Sequence, residues 1–153
     1  MKGLVGSITW KAIYIIDGSI MKYLTDKDVE LVKVARELMR GRFKEGSHHI
    51  GAALRTTAGH LCLGIHVEGH VGRVAVCAEA IAIGNAAIVG DTEIDTIVAV
   101  NREGRIVPPC GMCRELISDY SPNANVILED DVHLNEMEIV PVHLLLPKKY
   151  QRG

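Results

Sequence analysis

Aromatic side chains are scarce in this 153-residue chain: one Trp, one Phe and four Tyr, 4% of the total. So few rings exclude a surface that stacks successive bases of a single-stranded nucleic acid. A basic surplus is also missing, with 17 Lys and Arg against 19 Asp and Glu for a formal charge of -2. Without it, binding to polymeric nucleic acid loses its main electrostatic driving force. Long hydrophobic runs are absent as well, since nothing approaches the roughly 20 apolar residues that span a bilayer. The N-terminal apolar stretch is broken by Thr9, Trp10 and Lys11 and is followed by no small-residue cleavage pattern, so neither a membrane anchor nor secretion is expected. What is present is 48% apolar and 24% charged residues, the balance of a packed domain with one core rather than a disordered chain. The four cysteines, Cys62, Cys77, Cys110 and Cys113, therefore belong to a reducing, cytoplasmic setting, where clustered thiols bind metal or do chemistry more often than they form bridges.

Residues 1–20 carry no clear period and read as an N-terminal extension, either an added strand over Trp10 to Ile16 or a stretch ahead of a native start at Met21; residues 21–153 read as a single domain. Thr25, Asp26 and Asp28 form an N-cap with an acidic first turn ahead of Val29, Leu31, Val32, Val34, Ala35 and Leu38 at helical spacing. These predict a helix from Asp26 to Arg40, stopped by Gly41. His48 to Thr56 and His60 to Glu68 read as a hairpin turning at Thr57-Ala58-Gly59. Cys77 to Val89 is apolar nearly all round, a helix wanting burial on several sides. Ile94 to Val100 reads as a buried strand, Pro109-Cys110 opens a short helix to Asp119, and Asn125 to Glu129 is a further strand. Ile139 to Leu146 ends the domain, Pro141 marking an edge strand or a loop and helix. This order gives an α/β layered domain with a mixed sheet.

Two places carry chemistry: Cys77-Ala78-Glu79 at one helix start and Pro109-Cys110-Gly111-Met112-Cys113 at the next. A Cys-x-Glu followed by Pro-Cys-x-x-Cys is the three-cysteine form of a zinc deaminase signature, in which the Glu is not a ligand. Three thiolates leave a fourth tetrahedral position open, as a catalytic zinc site requires. Helix N-termini favour the thiolate form through their unpaired N–H groups and dipole. Glu79 then stands where it can take a proton from an activated water and pass it to a ring nitrogen and a departing amine. Two other readings stay open at this level. A structural zinc knuckle would need Cys62, His66 or His70 as fourth ligand, and Cys110 with Cys113 alone would suit a redox pair; Cys62, between Leu61 and Leu63, reads as a core thiol.

The chain resembles the cytidine deaminase family, specifically its small homotetrameric three-cysteine branch with the blasticidin S deaminase-like enzymes. The likeness runs from about Lys22 to Tyr150 and rests on IGAAL at Ile50 to Leu54, GIHVE at Gly64 to Glu68, CAE at Cys77 to Glu79, PPCGMCRELI at Pro108 to Ile117 and the tail LLPKKY. It implies a three-layer fold, a mixed central sheet of about five strands with helices on both faces. It implies Zn²⁺ on Cys77, Cys110 and Cys113, Glu79 as proton shuttle, Glu68 as a ribose-binding carboxylate and the backbone at Ala78 and Pro108 against the base. It further implies a homotetramer with Tyr150 near a subunit boundary.

The departures bear on substrate. His48 stands where the family usually has a base-stacking Phe, His66 where it has a ribose-binding Asn, and Ala80 where an Arg commonly follows CAE. Three thiolates on Zn²⁺ carry a net charge near -1, which opposes ionisation of a bound water; Arg114, directly after Cys113, is the compensating charge. Arg73, four residues before Cys77, either rims the pocket and meets an acidic group on the substrate or is an exposed loop charge. The expected activity is hydrolytic deamination of a cytosine nucleoside in pyrimidine salvage. Blasticidin S or another aminated heterocycle is the alternative substrate, and a zinc-stabilised, non-catalytic binding domain is the alternative of another class.

Overall fold

The computed structural model describes Ile15–Ile16, Ser19–Ile20 and residues 24–130 and 136–152. Ile15–Ile16 (β1) and Ser19–Ile20 (β2) pair antiparallel; the remainder of the strand expected from Trp10 lies outside the described residues.

Helix α1 spans Asp26–Arg42. Its start is a closed capping box: Asp28 N–H donates to Thr25 Oγ1 at 3.3 Å and Thr25 N–H donates to Asp28 Oδ2 at 2.8 Å. Leu31, Val32, Ala35 and Met39 are buried along one face. The helix passes through Gly41, which was expected to stop it. A glycine near a helix end weakens the helix by only about 1 kcal/mol, and the Phe43 N–H closes the last turn on Met39 O at 2.9 Å. The helix ends instead at Arg42, where the backbone of Phe43 leaves the helical region at ψ 132°, and the chain then turns at Gly46, whose φ of 71° is left-handed.

Five strands follow: β3 (Ile50–Thr56), β4 (Leu61–Ile65), β5 (Ile94–Asn101), β6 (Asn125–Glu129) and β7 (Met137–Pro141). They form one sheet in the order β4-β3-β5-β6-β7, parallel only between β5 and β6. The β3–β4 turn uses Gly59 at φ 94°. Pro141, which has no N–H to donate, ends the edge strand β7, and a 3₁₀ turn at Val142–Leu145 follows, so the two expected endings, edge strand and helix, occur one after the other. Between β4 and β5 lies α2 (Ala78–Ile88); between β5 and β6 lies α3 (Gly111–Tyr120).

Strand alternation sorts the core into two layers. Ala53, Val98, Val100 and Ile127 face α1, while Ala52, Leu54, Ile97, Ala99 and Val126 face α2 and α3. The three-layer arrangement follows from this parity. Helix α2 departs from its expected all-round burial: Ala78, Ala82, Ile83 and Ala86 are covered, whereas Ile88 is 83% exposed. In a single chain, only the sheet-facing side of α2 finds a neighbour. Among the described residues no helix is long and apolar enough to cross a membrane.

One ion-pair network ties α1 to the sheet. Arg55 Nη2 on β3 lies 2.7 Å from Asp28 Oδ1 and 2.6 Å from Asp95 Oδ2. Burial acts to raise the Asp28 carboxyl, but hydrogen bonds from Arg55 and Thr25 outweigh it and hold the group below its ordinary 3.8. Asp28 therefore adds stability above that ordinary pKa and loses it as pH falls through the lowered folded value. Replacing Arg55 with Met leaves a buried charge unpaired, and urea denaturation at pH 7 should show a loss of about 3 kcal/mol. The deficit should shrink below about pH 4, as Asp28 becomes protonated and no longer needs its partner.

Candidate active site

Cys77 and Cys110 are the N-cap residues of α2 and α3, both in extended backbone conformation and neither capping its helix with its side chain. Cys113 lies in the first turn of α3 and is fully buried. The two helix starts face each other across the end of the sheet, bringing the three Sγ atoms within 4.8 Å of one another. Cys77 Sγ and Cys110 Sγ are 3.7 Å apart. Two sulfurs bound tetrahedrally to one zinc at about 2.3 Å are separated by roughly 3.7 to 3.8 Å. A disulfide needs about 2.05 Å, and all four cysteines are free.

The donor set fits a dication. Burial and then the Glu79 charge push the Cys113 thiol far up, and burial raises Cys77, while the Cys113 backbone N–H helps bring Cys110 down despite its own burial. Three thiolates beside a carboxylate repel one another; a doubly charged cation relieves that repulsion. Among the described residues no fourth donor joins the three cysteines. Cys62 sits in the core on the α2 side of the sheet, so the closed knuckle is not what the residues form.

Glu79 is 6% exposed in the first turn of α2. Burial raises its carboxyl, against the opposing influence of its own backbone N–H, the Cys113 thiol and His66. A carboxyl raised in this way holds a proton more readily than an exposed one, which suits a group that must accept a proton and pass it on. Arg114 donates from Nε to Pro109 O at 2.8 Å and from Nη1 to Leu145 O at 3.1 Å. Its charge is thus pinned between the Cys110 loop and the chain's end.

Three of the remaining candidates, His48, His66 and Glu68, meet just past the end of β4. His48 donates from Nδ1 to His66 O at 2.8 Å. It lies in the turn before β3 rather than in the strand, bridged to Lys44. The neighbouring His49, given no role from sequence, packs its ring 5.6 Å from that of His66. His66 Nε2 is 3.5 Å from Glu68 Oε2, and Glu68 Oε1 accepts from Gly69 N–H at 3.0 Å. Arg73 is exposed in a 3₁₀ turn at Gly72–Val74, His70 is exposed, and Tyr150 is 77% exposed. Ala78 is fully buried, and Pro108 is exposed on the loop before Cys110.

A family model for the "Cytidine and deoxycytidylate deaminase zinc-binding region" matches residues 25–129. The chain belongs to the cytidine and deoxycytidylate deaminase family. It is a zinc-dependent hydrolytic deaminase. The blasticidin-S deaminase of Bacillus cereus is 45% identical over 138 residues, covering 85% of this deaminase and 96% of the relative. The cytidine deaminase of Halalkalibacterium halodurans is 28% identical over 116 residues, covering 75% of the chain and 88% of the relative. Among solved structures, cytidine deaminase from Mycobacterium leprae has a TM-score of 0.69 at 23% identity, over 81% of this chain and 99% of that one. The enzyme from Burkholderia pseudomallei has a TM-score of 0.67 at 25% identity, over 83% and 100%. The deaminase fold expected from the sequence is the fold observed.

Gly64 is the residue of the deaminase that the sequence left without a role. A Cβ placed on it would lie 2.0 Å from Ala78 O and 2.5 Å from Ala82 N, both backbone atoms of α2. The helix that carries Cys77 and Glu79 rests directly on the β4 backbone. Gly64→Ala must move α2 outward, which should destabilise the fold by about 2 kcal/mol and weaken zinc retention at least tenfold, in line with the usual cost of disturbing a ligand's support. Thermal denaturation and competition with a chelator measure the two effects.

Proposed function

We propose that the deaminase removes the exocyclic amine of a cytosine nucleoside, with Cys77, Cys110 and Cys113 holding zinc and Glu79 moving the proton. The observation that carries this reading is the meeting of three free thiols at two helix starts beside one buried carboxyl. A bound zinc ion supplies Lewis-acid activation of water at neutral pH. Glu79 accepts the proton that water gives up, delivers it to the ring nitrogen next to the amine-bearing carbon, and assists departure of ammonia as a carbonyl forms. The buried position of Glu79 keeps that proton from bulk solvent. Arg114 supplies positive charge beside the thiolates, and the α2 and α3 N-termini add to it.

Blasticidin S is the second reading, supported by the 45% identity to a blasticidin-S deaminase. Arg73, exposed four residues before Cys77, then meets an acidic group on the substrate, and His48 supports the pocket wall next to His66. We further propose a single domain over residues 21–153 after an extension of 1–20, acting in the cytoplasm in pyrimidine salvage as a homotetramer. The four unpaired thiols suit a reducing compartment. Exposed Ile88, Val74, Met112 and Tyr150 give apolar surface for further copies of the chain to cover.

Ammonia release from cytidine, deoxycytidine, cytosine and blasticidin S tests the substrate. A higher kcat/KM for either nucleoside than for blasticidin S supports the first reading, and the reverse order selects the second. Glu79→Gln should keep one zinc per chain and the native circular dichroism spectrum while turnover falls at least about 100-fold. An active Glu79→Gln variant would remove Glu79 from the mechanism.

A further inference from the structure

Residues 145–149, which follow the last 3₁₀ turn, are tied to α3 more firmly than a surface segment needs. The Lys149 side chain is only 17% exposed. Its ammonium donates to Ser118 Oγ at 3.1 Å and to the Asp119 carboxylate, with Glu115 Oε2 at 4.0 Å. Ser118 is itself 8% exposed, so one side of this contact is shielded from water. A cation beside the last turn of α3 also meets the negative end of the helix dipole.

The residue before this anchor bears the cost in its backbone. Lys148 has φ 54°, the one positive value at a non-glycine among the described residues. A residue with a Cβ takes that conformation when its surroundings impose it. Lys148 makes no ion pair among the described residues, so the constraint comes from its neighbour.

The other end of the segment reaches the cysteine cluster. Arg114 Nη1 donates to Leu145 O at 3.1 Å, while Arg114 Nε donates to Pro109 O at 2.8 Å. Pro109 O belongs to the peptide bond that enters Cys110. One rigid guanidinium thus joins the segment to the loop in front of a thiol. Leu145 O is poorly fixed by its own turn, whose closing bond from Leu146 N–H to His143 O is long, at 3.4 Å. Its position depends on what holds the residues after it.

We propose that Lys149 is a positioning residue for the metal site: anchored on α3, it holds Leu145 O and, through Arg114, the peptide entering Cys110 in the geometry that retains zinc. This rests on the reading of Cys77, Cys110 and Cys113 as the zinc ligands. The anchor is sensitive to salt, because the Glu115 and Asp119 side chains are 45% and 65% exposed.

Release of zinc from the loaded deaminase to excess EDTA tests this. Lys149→Met should release zinc about fivefold faster, somewhat less than the loss of a direct support of a ligand causes. Lys149→Arg, which keeps the charge and donors, should recover most of the difference. Lys148→Met removes the adjacent charge and should stay within about twofold of the wild type. The gap between wild type and Lys149→Met should narrow between about 0.05 M and about 0.5 M salt. In an Arg114→Gln background, Lys149→Met should add nothing, since the two act through one path. Unchanged release in Lys149→Met, an equal effect of Lys148→Met, or full additivity with Arg114→Gln would overturn the assignment while leaving the ligand reading intact. A wild-type protein that holds no zinc when supplied with it would overturn the ligand reading and this assignment with it.

Discussion

Backbone lies on backbone where α2 crosses β4, because Gly64 offers no Cβ to hold the two apart. That contact fixes the height of the α2 N-terminus over the sheet. Cys77 and Glu79 sit on that N-terminus, and the 3.7 Å approach of Cys77 to Cys110 on the α3 cap depends on it. A tetrahedral metal tolerates little error in such spacings. One missing methyl group in a strand thus governs a candidate metal site more than ten residues away.

The sheet supplies the remaining constraint. Its parity places α1 on one face and both cysteine-bearing helices on the other, so these two helices share a layer and can meet at their N-termini. The parallel β5–β6 pair places α3 in that layer as the crossover between the two strands. On the far face α1 carries none of the candidate site residues. Its tie through Arg55 to Asp28 and Asp95 instead holds the outer layer on the sheet.

Much of the fold was legible because its signals are local. Thr25 and Asp28 announce a capping box that forms as written, and Asn125–Glu129 is a strand with the expected bounds. The misreadings share a cause. Gly41 is a helix breaker by propensity, yet one residue's propensity is weaker than the packing of Met39 and the closing hydrogen bond of Phe43. His48 and His49 read as strand residues because the alternation seemed to start there, but the tight turn at Gly46 delays β3 to Ile50. Neither the ring contact of His49 with His66 nor the three-way bond of Arg55 has a local signature, since each joins segments far apart in the chain.

The sequence by itself determined the candidate chemistry of this deaminase: Cys77 with Glu79, and Cys110 with Cys113, are each set by a short spacing at a helix start, which local structure alone brings to one place. Only the tertiary structure decided that α2 sits on the Gly64 backbone, that Cys62 stays in the core, and that Glu68 turns toward His66. Those outcomes depend on which side chains occupy the same volume after packing, a three-dimensional fact with no counterpart in residue order.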